Sequence, residues 1–489
     1  MTDPTHGSGP TRPTIDSQPV LERLAAYRSH DAPTHGGSVL SYVYDSGLAE
    51  LDALAASAAA MTLPVNGLDH TTFPSVALME ADLVTFGRTV LHGPQAVGSV
   101  TSGGTESCLL AVKAARDRWW ASQGDRDSTG ISRPQIVLAS SAHAAFHKAA
   151  HYLGLDLDVV PVDPVSGVPD AAALIDRLTE QTALVVVSAP SYPHGVLDPV
   201  AEVAGGAAAR GIPCHVDACI GGLVLPFWAD AGGMPPAPWD FRVPGVSSIS
   251  ADLHKFGYAP KGASLLLFAE RELDLARYFA LTDWPGYPVV NPTVLGSRSA
   301  TSLAAAWAVT AALGPAGFTD LTAQIVVATQ EVTRCVESIA GLAVLGAPAG
   351  PLLAVVTDET VPPQQRVHPH LWAAAAARRG FVLQGQPALQ QGDGTQIPRS
   401  THLTITPATR GVLPELTAVL RESADEVRGR TVELPADLSV PDPVALAARA
   451  RESGELDLTQ VLALIESLPR EVSAGLLVEF LAAFVAPAP

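Results

Sequence analysis

Apolar and polar residues follow two alternating patterns along the middle of the chain. Between about residues 75 and 310, short apolar runs ("QIVLAS", "LDVVPV", "ALVVVSAP", "PCHVDA", "SSISAD", "SLLLFA") are separated by stretches with helical spacing, such as "TESCLLAVKAARDRWWA" and "AHAAFHKAAHYLG". Strands that are apolar throughout are typical of a parallel sheet covered on both faces. The alternation therefore predicts an α/β fold whose large domain, residues 75–312, contains a mostly parallel sheet.

The flanking segments have different patterns. Residues 21–74 are predicted to be helical, with a Gly-rich break at "THGGSVLSYVYDSG". After residue 312, apolar runs such as "LLAVVTD" and "THLTITP" alternate with helical stretches, which predicts a smaller α+β domain over residues 313–432. Residues 433–489 are predicted to be a Pro-rich linker followed by two amphipathic helices, and residues 1–20 a disordered arm rich in Pro, Thr, Gly and Ser.

Composition narrows the class of protein. The 489 residues are 47% hydrophobic and 16% charged, with a formal charge of −19 and a pI near 5.1. An acidic chain of this kind lacks the basic footprint of nucleic-acid binding. The start has no basic region followed by an apolar run, and "SLAAAWAVTAALGPAGF" is broken by Gly and Pro, so we expect a cytoplasmic protein without a signal peptide or membrane anchor. The scattered cysteines, Cys108, Cys214, Cys219 and Cys335, are expected to be free thiols.

Lysine usage gives the first chemical signal. The chain has 30 Lys plus Arg, but only four are lysine, and two of these, Lys255 and Lys261, lie in "SSISADLHKFGYAPKGASLLLF". A lysine amine can lose its proton and attack a carbonyl carbon, which a guanidinium cannot do. Lys255 follows an apolar strand, where α/β proteins place their sites, and His254 beside it could donate to a phosphate. A surface lysine or a buried ion pair is the alternative, but the combination indicates pyridoxal phosphate (PLP).

Three other strings meet the remaining demands of PLP. "SVTSGGTESCLLAVKAAR" offers backbone donors to a phosphate at a helix start, although an ordinary capped helix would look the same. Asp217 in "PCHVDACIGG" ends a strand and could pair with the pyridine nitrogen, or cap a helix. His143 could stack on the ring. Its spacing with His147 and His151 also fits a metal site, but no carboxylate or cysteine completes one locally, so no metal is expected.

These strings together resemble the PLP-dependent group II decarboxylase superfamily, and within it the sphingosine-1-phosphate lyase branch. The resemblance rests on "TSGGTES", "SAHAAFHKAA", "HVDACIGG", "SISADLHKFGYAPKG" and "GSRSA". It implies the fold-type I, aspartate aminotransferase-like architecture and a homodimer with shared active sites. It also implies site roles. Lys255 would hold PLP covalently, Asp217 would pair with the ring nitrogen, and His143 would stack on the ring, while the phosphate would be bound by Gly104, Thr105, His254 and the partner subunit's Ser297.

The resemblance also bears on the substrate, a small-molecule amine. In the lyase branch the lysine of "YAPKG", here Lys261, helps hold a substrate phosphate with a tyrosine that matches Tyr44, or less closely Tyr42. The branch also has a histidine where this chain has Asp69 in "NGLDHTTFPS", with His70 displaced by one. An aspartate facing a phosphate would repel it. Asp69 must therefore point away, be neutralised by His70 or Lys261, or mark a different head group.

Two reactions and one non-catalytic role follow from these features. PLP lets a bond at the substrate's Cα break. Breaking Cα–Cβ beside a hydroxyl is a retro-aldol cleavage that gives an aldehyde, whereas losing a carboxylate is decarboxylation. Lys261 and Tyr44 favour the aldehyde-lyase, with an amino-acid α-decarboxylase as the alternative. A regulator that senses an amine with a PLP-type domain is the third reading, but such proteins usually carry a DNA-binding unit, and neither end of the chain shows a basic helical segment.

Overall fold

The computed structural model describes residues 15–123, 133–432, 442–453 and 457–487. Its centre is a seven-stranded sheet formed by Val97–Thr101 (β1), Gln135–Ala139 (β2), Asp156–Val160 (β3), Thr182–Ser188 (β4), Cys214–Asp217 (β5), Val246–Ala251 (β6) and Ser264–Phe268 (β7). The spatial order is β1-β7-β6-β5-β4-β2-β3. Only β7 runs antiparallel to its neighbours, β1 and β6. The predicted mostly parallel sheet is confirmed, while β1, whose residues were read only as the approach to a phosphate loop, was not predicted.

Burial explains why the strands read as continuous apolar runs. Every residue of β4 is buried, and β7 likewise. The helices up to residue 275 are Gln18–Arg28 (α1), Ala49–Met61 (α2), Pro74–Val90 (α3), Gly104–Ser122 (α4), Ala144–Leu153 (α5), Ala171–Asp176 (α6), Val200–Ala208 (α7), Leu225–Trp228 (α8) and Arg271–Leu275 (α9). With helices on both faces, the inner strands have no solvent-facing side and lack the period-2 alternation of a half-exposed sheet, whereas the edge strand β3 keeps exposed residues.

A short hairpin and a long helix lead out of the large sheet. The hairpin pairs Phe279–Leu281 (β8) with Val289–Asn291 (β9), and Thr301–Glu337 (α10) follows. The 37 residues of α10 are interrupted at Gly314, which has φ 53° and ψ −179° and precedes Pro315. This helix is long and apolar enough to cross a membrane, but Phe318 and Ile325 on it belong to the main hydrophobic core. It also runs across residue 312, the predicted domain boundary.

The remaining elements form a smaller unit and a tail. The strands are Leu342–Val344 (β10), Leu352–Thr357 (β11), Gln384–Gln386 (β12), Leu389–Gln390 (β13), Gln396–Ile397 (β14) and Ser400–Thr404 (β15), and the helices are Pro369–Ala377 (α11), Leu413–Val427 (α12), Pro443–Ser453 (α13), Leu458–Ser467 (α14) and Arg470–Val485 (α15). An antiparallel sheet has the order β10-β11-β15-β12, as the α+β prediction requires. The tail has one helix more than predicted, α13. Residues 1–14 and 433–441 lie outside the described residues, and the predicted arm ends in α1.

The segment between α1 and α2 is attached to the small sheet. Leu40 N–H donates to Val382 O at 2.9 Å, and Thr404 N–H donates to Leu40 O at 2.7 Å. Four residues further on, Tyr44 packs edge-on against Phe256, with ring centroids 5.2 Å apart. The small domain therefore fixes the position of Tyr44 above the loop that follows β6.

We predict that Gly314→Ala destabilises the protein by about 1 to 3 kcal/mol, because an L-residue is strained at this φ and ψ. Gly205 in α7 is the matched control. A Cβ added at either glycine meets nothing within 4 Å, so packing does not distinguish them. Gly205→Ala should instead stabilise the protein by up to about 1 kcal/mol through helix propensity. Thermal unfolding of both variants measures the difference, and equal shifts in the same direction would contradict the strain at Gly314.

Candidate active site

A cavity of about 420 Å³ lies at the carboxyl ends of β5 and β6, against the N-terminus of α4. In α/β sheets this edge is where ligands bind. Register brings the key segments together, because Asp217 at the end of β5 pairs with Ser250 near the end of β6. The cavity is lined by most of the residues predicted from the sequence: Gly104, Thr105, His143, Asp217, His254, Lys255 and Lys261.

The loop between β1 and α4 is shaped for close approach to a ligand. Gly103 has φ 152°, and α4 begins at the next residue. A Cβ on Gly104 would lie 2.8 Å from both carboxylate oxygens of Asp252 and 2.8 Å from Cys219 Sγ. Glu106, buried in the first turn, accepts hydrogen bonds from Ser102 N–H and Val294 N–H, each at 2.6 Å. A glycine loop held open at the start of a 19-residue helix is a suitable anion site.

Asp217 is the buried acid of the cavity. Its Oδ1 accepts hydrogen bonds from Cys219 N–H at 3.0 Å and from Ser250 Oγ at 3.4 Å. Burial raises the pKa of this carboxyl, but His143, the hydrogen bonds from Cys219 and the Lys255 ammonium outweigh it and lower the pKa overall. Asp217 is therefore ionised at neutral pH and can accept a hydrogen bond from a protonated ring nitrogen.

His143 is the first of the three spaced histidines and the one that lines the cavity. It caps α5, and its Nδ1 accepts from Ala145 N–H at 3.2 Å. The neutral ring therefore carries its proton on Nε2. His147 and His151 lie further along α5 and do not line this cavity. The helix-face spacing of the three residues thus places one histidine at the site and leaves the other two outside it.

Lys255 pairs with a buried carboxylate of the same cavity wall, which was not predicted from the sequence. Its Nζ is 3.0 Å from Asp252 Oδ2, three residues earlier. Burial alone lowers the pKa of Lys255, but the Asp252 carboxylate and other nearby acidic groups raise it above the ordinary lysine value. His254 Nδ1 accepts from Ala263 N–H at 3.2 Å, so its Nε2 carries the proton. The signal for Asp252 was the string "SADLHK", where an acid ends a strand three residues before the lysine.

Lys261 and Tyr44 meet at the rim. The Lys261 ammonium lies 4.6 Å from the centroid of the Tyr44 ring and donates to His254 O at 3.0 Å. Among the described residues, no carboxylate lies within ion-pair distance of Lys261. Partial burial and the nearby Lys255 charge lower the pKa of Lys261 to about 8. Burial raises the pKa of Tyr44 to about 12, so its phenol stays protonated at neutral pH.

Tyr42 belongs to a different contact, on the side of Tyr192. Gln384 on β12 donates from Nε2 to Tyr42 Oη at 2.6 Å and accepts from Tyr192 Oη at 2.6 Å. Tyr192 lines the cavity, and its ring stacks on buried His402 with centroids 4.4 Å apart. Tyr192 was not predicted, because its string "SAPSYPHG" reads as a turn after β4 and its partner Gln384 lies far away in sequence.

Asp69, His70 and Ser297 lie away from Lys255 within this chain. Asp69 and His70 line a second cavity of about 950 Å³ that shares no lining residue with the first. Ser297 is exposed and accepts from Asn66 Nδ2 at 3.4 Å. Its neighbour Arg298 also lines the second cavity and donates to Val100 O at 2.9 Å. The one-chain structure therefore does not bring these predicted residues to the Lys255 cavity.

The Asp69 carboxylate forms its hydrogen bonds within its own turn. It accepts from Thr71 N–H at 2.8 Å, Thr71 Oγ1 at 2.6 Å, Thr72 N–H at 3.2 Å and Thr72 Oγ1 at 2.7 Å. The hydrogen bonds from the two threonines hold the pKa of Asp69 well below its usual range. The carboxylate is thus occupied by the two threonines, while Asp69 still lines the second cavity.

The first cavity fits PLP. Backbone N–H groups at the start of α4 and His254 Nε2–H suit its phosphate, ionised Asp217 suits its ring nitrogen, and the Lys255 amine suits its carbonyl. The glycine at position 104 leaves free the space that a Cβ would occupy. Two cysteine thiols, Cys108 and Cys219, lie within 4.8 Å of the Asp217 carboxylate and complete an apolar floor. All four cysteines of the chain are buried and free, as expected.

Comparisons with known proteins agree with this fit. Residues 34–284 match the pyridoxal-dependent decarboxylase conserved domain. The chain is 36% identical over 377 residues to the sphingosine-1-phosphate lyase of Dictyostelium discoideum, covering 77% of this chain and 66% of that protein. It is 38% identical over 346 residues to sphingosine-1-phosphate lyase 1 of Rattus norvegicus, covering 71% of this chain and 59% of that protein. The chain thus spans about three fifths to two thirds of the length of these relatives.

A solved structure extends the comparison over nearly the whole chain. The sphingosine-1-phosphate lyase of Burkholderia pseudomallei superposes with a TM-score of 0.77 at 32% identity, covering 95% of this chain and 98% of that one. The family match covers both the Tyr44 segment and the Lys255 loop. The chain belongs to the pyridoxal-dependent decarboxylase family.

Proposed function

We propose that the protein is a PLP-dependent carbon–carbon lyase that cleaves a phosphorylated amino alcohol to an aldehyde and an amine, as the names of its relatives suggest. The observation that carries this proposal is the Lys261 ammonium at the rim of the Lys255 cavity, held against Tyr44 without a carboxylate partner among the described residues. A cation left unpaired beside a cofactor site is suited to an anionic head group. Decarboxylation of an amino acid is the second candidate, supported by the family match.

Each residue of the cavity has a task that its geometry allows. Bound PLP would supply a sink for the electron pair of the bond that breaks. Asp217, ionised and buried, would hold a proton on the ring nitrogen. His143 would present Nε2–H from one side of the cavity, because its Nδ1 already accepts a backbone proton. Tyr44 can donate a proton at neutral pH but cannot accept one, because its phenol is un-ionised.

We also propose a homodimer with shared sites, acting in the cytoplasm. Support comes from the second cavity and the exposed apolar residues beside it. Ser297 lies outside the Lys255 cavity, while the β8–β9 hairpin and the loop that follows expose large apolar side chains: Phe279, Trp284, Tyr287, Val290, Val294 and Leu295. We propose that a second copy covers these side chains and that Ser297 of each chain serves the partner's site.

Lys255 is predicted to carry the cofactor. Borohydride reduction of the PLP-loaded protein followed by peptide mapping should place the label on Lys255, because its amine faces both the cavity and Asp252. With only three other lysines in the chain, Lys113, Lys148 and Lys261, the map is unambiguous. A label on one of these three would overturn the assignment.

Lys261 is predicted to bind the head group. Lys261→Leu should lower kcat/KM for aldehyde release from a phosphorylated long-chain base by about 10-fold or more, because one charge-assisted hydrogen bond is worth about 1.5 to 3 kcal/mol. The borohydride label on Lys255 should remain. Since the ammonium must be charged to bind, kcat/KM should fall as pH rises through about 8, the lowered pKa of Lys261.

Lys261→Arg is the matched control, because it keeps the charge at all accessible pH values and should remove this alkaline fall. An unphosphorylated amine substrate should show no such dependence in either protein. The lyase proposal is wrong if Lys261→Leu leaves aldehyde release unchanged, or if the parent releases only carbon dioxide from amino acids. The decarboxylase proposal would then replace it. Absence of turnover with every amine tested would favour the third interpretation, a non-catalytic regulator that senses an amine.

Shared sites can be tested by complementation. Lys255→Ala removes the cofactor lysine, and Ser297→Asp places a carboxylate where a phosphate contact is proposed, on an exposed residue that can tolerate the change. Neither variant should be active alone. In a heterodimer one site would have both intact residues, so an equal mixture should recover about a quarter of the parental activity. Confirmed heterodimers without recovered activity would show that each site lies within one chain.

A further inference from the structure

Asp252 is a buried carboxylate in the wall of the first cavity. It follows β6 directly, and its side chain is 1% exposed, whereas the side chain of Lys255 is 20% exposed. Its Oδ2 lies 3.0 Å from Lys255 Nζ and 3.5 Å from His254 Nε2. Its Oδ1 is buried and has no hydrogen-bond partner among the described residues. Asp252 and Lys255 both line the cavity.

A carboxylate that served only the fold would have both oxygens satisfied, because an unpaired buried acceptor is costly. Asp217 and Glu106 in the same cavity accept hydrogen bonds from backbone N–H groups. The partners of the Asp252 side chain are instead the Lys255 ammonium and the His254 ring. Its carboxylate also lies beside Gly104, at the positive end of α4. The Lys255 amine is therefore the nearest partner of the Asp252 side chain.

We propose that Asp252 is the positioning residue of Lys255, holding the lysine amine at the cavity wall whenever the cofactor carbonyl does not. The amine has to give up a proton before its lone pair can attack a carbonyl carbon. The carboxylate 3.0 Å away stabilises the ammonium, so Asp252 also sets the pH at which the amine becomes free to react.

A buried ammonium without Asp252 would be desolvated and its pKa would fall, whereas with Asp252 it rises. Loss of the carboxylate would therefore change the protonation of Lys255 rather than only its packing. This inference rests on the proposed role of Lys255 as the cofactor lysine.

Other titratable groups face this pair and must be counted in any pH dependence. They come from four elements: the Tyr44 phenol from the N-terminal segment, the Cys108 thiol from α4, the Asp217 carboxyl and Cys219 thiol from the end of β5, and His254 and Lys261 from the loop after β6. Burial raises the pKa of Tyr44, the hydrogen bond with Cys108 and burial raise that of Cys219, and for Cys108 the hydrogen bond with Cys219 lowers the pKa but burial outweighs it. These three groups stay neutral across the neutral range, whereas Lys261, with a pKa lowered to about 8, changes its charge there.

The scarcity of lysine makes a direct test practical. The full chain, labelled with carbon-13 at lysine Cε and freed of PLP, should give four lysine signals, and Lys255→Arg identifies the one that belongs to Lys255. In the parent this signal should remain that of an ammonium to higher pH than an ordinary lysine. Asp252→Asn should lower its midpoint by about 1 to 3 pH units, the usual effect of losing a nearby opposite charge. Asp252→Glu should restore most of the shift.

Asp274→Asn is the matched control. Asp274 is also a buried acid that pairs with a cation three residues later, with 2.7 Å from its Oδ1 to Arg277 Nε, but it does not line the first cavity. The Asp274→Asn substitution should leave the pH midpoint of the Lys255 signal unchanged. An unchanged midpoint in Asp252→Asn, or an equal shift in Asp274→Asn, would overturn the proposal.

Cofactor uptake and stability give independent readouts. The pH midpoint for PLP uptake should move down in Asp252→Asn together with the lysine signal. If the pH midpoint for PLP uptake does not move while the Lys255 signal still shifts, Lys255 is not the cofactor lysine. The pairing of Lys255 with Asp252 would still stand. If Asp252→Asn does not fold, Asp252→Asn/Lys255→Met should recover stability relative to the single variants, and additive losses would contradict the coupling.

Discussion

The buried charges at the end of β5 and β6 constrain the rest of the site. Asp217 and Asp252 place two carboxylates at the edge of an otherwise apolar sheet, and Lys255 is the amine that faces both. Burying a charge without compensation costs several kcal/mol. The compensation comes from the start of α4, from the capped His143 and from backbone N–H groups, which explains why a glycine loop, a histidine N-cap and an ion pair converge on one small cavity.

The same balance explains how the chain uses lysine. At position 255 an arginine could satisfy Asp252 but could not release a proton to attack a carbonyl carbon. At position 261 the argument is different, because an arginine could also bind a phosphate. There the ammonium packs against the Tyr44 ring and donates to His254 O at the rim, without a buried acid to pair with among the described residues. The two lysines are therefore retained for separate physical reasons.

Much of the fold and the core of the site could be predicted from local patterns. The strands β2 to β7 and the helices α4 and α5 follow from apolar runs and helical spacing, and Lys255, His143 and Asp217 follow because each ends or follows a predicted strand. Local patterns did not reveal contacts between distant segments. Tyr192 depends on Gln384, and Ser297 depends on Asn66, each more than 190 residues away in sequence. β1 was missed because its five residues, "VGSVT", have a glycine at the second position and lead directly into the loop.

Asp69 shows why a residue's type at an aligned position does not fix its role. By repulsion alone, an aspartate in place of a histidine would weaken phosphate binding, and two like charges about 4 Å apart repel by about 4 kcal/mol at an effective dielectric near 20. That argument requires the carboxylate to face the phosphate. Here both oxygens are engaged by the backbone and hydroxyls of Thr71 and Thr72, so the aspartate begins the turn that leads into α3. His70, the next residue, lies near Glu80 in the second cavity, with 3.8 Å between its Nε2 and Glu80 Oε2. The one-residue displacement therefore separates two tasks. Asp69 holds the turn, and His70 lines the second cavity beside Glu80.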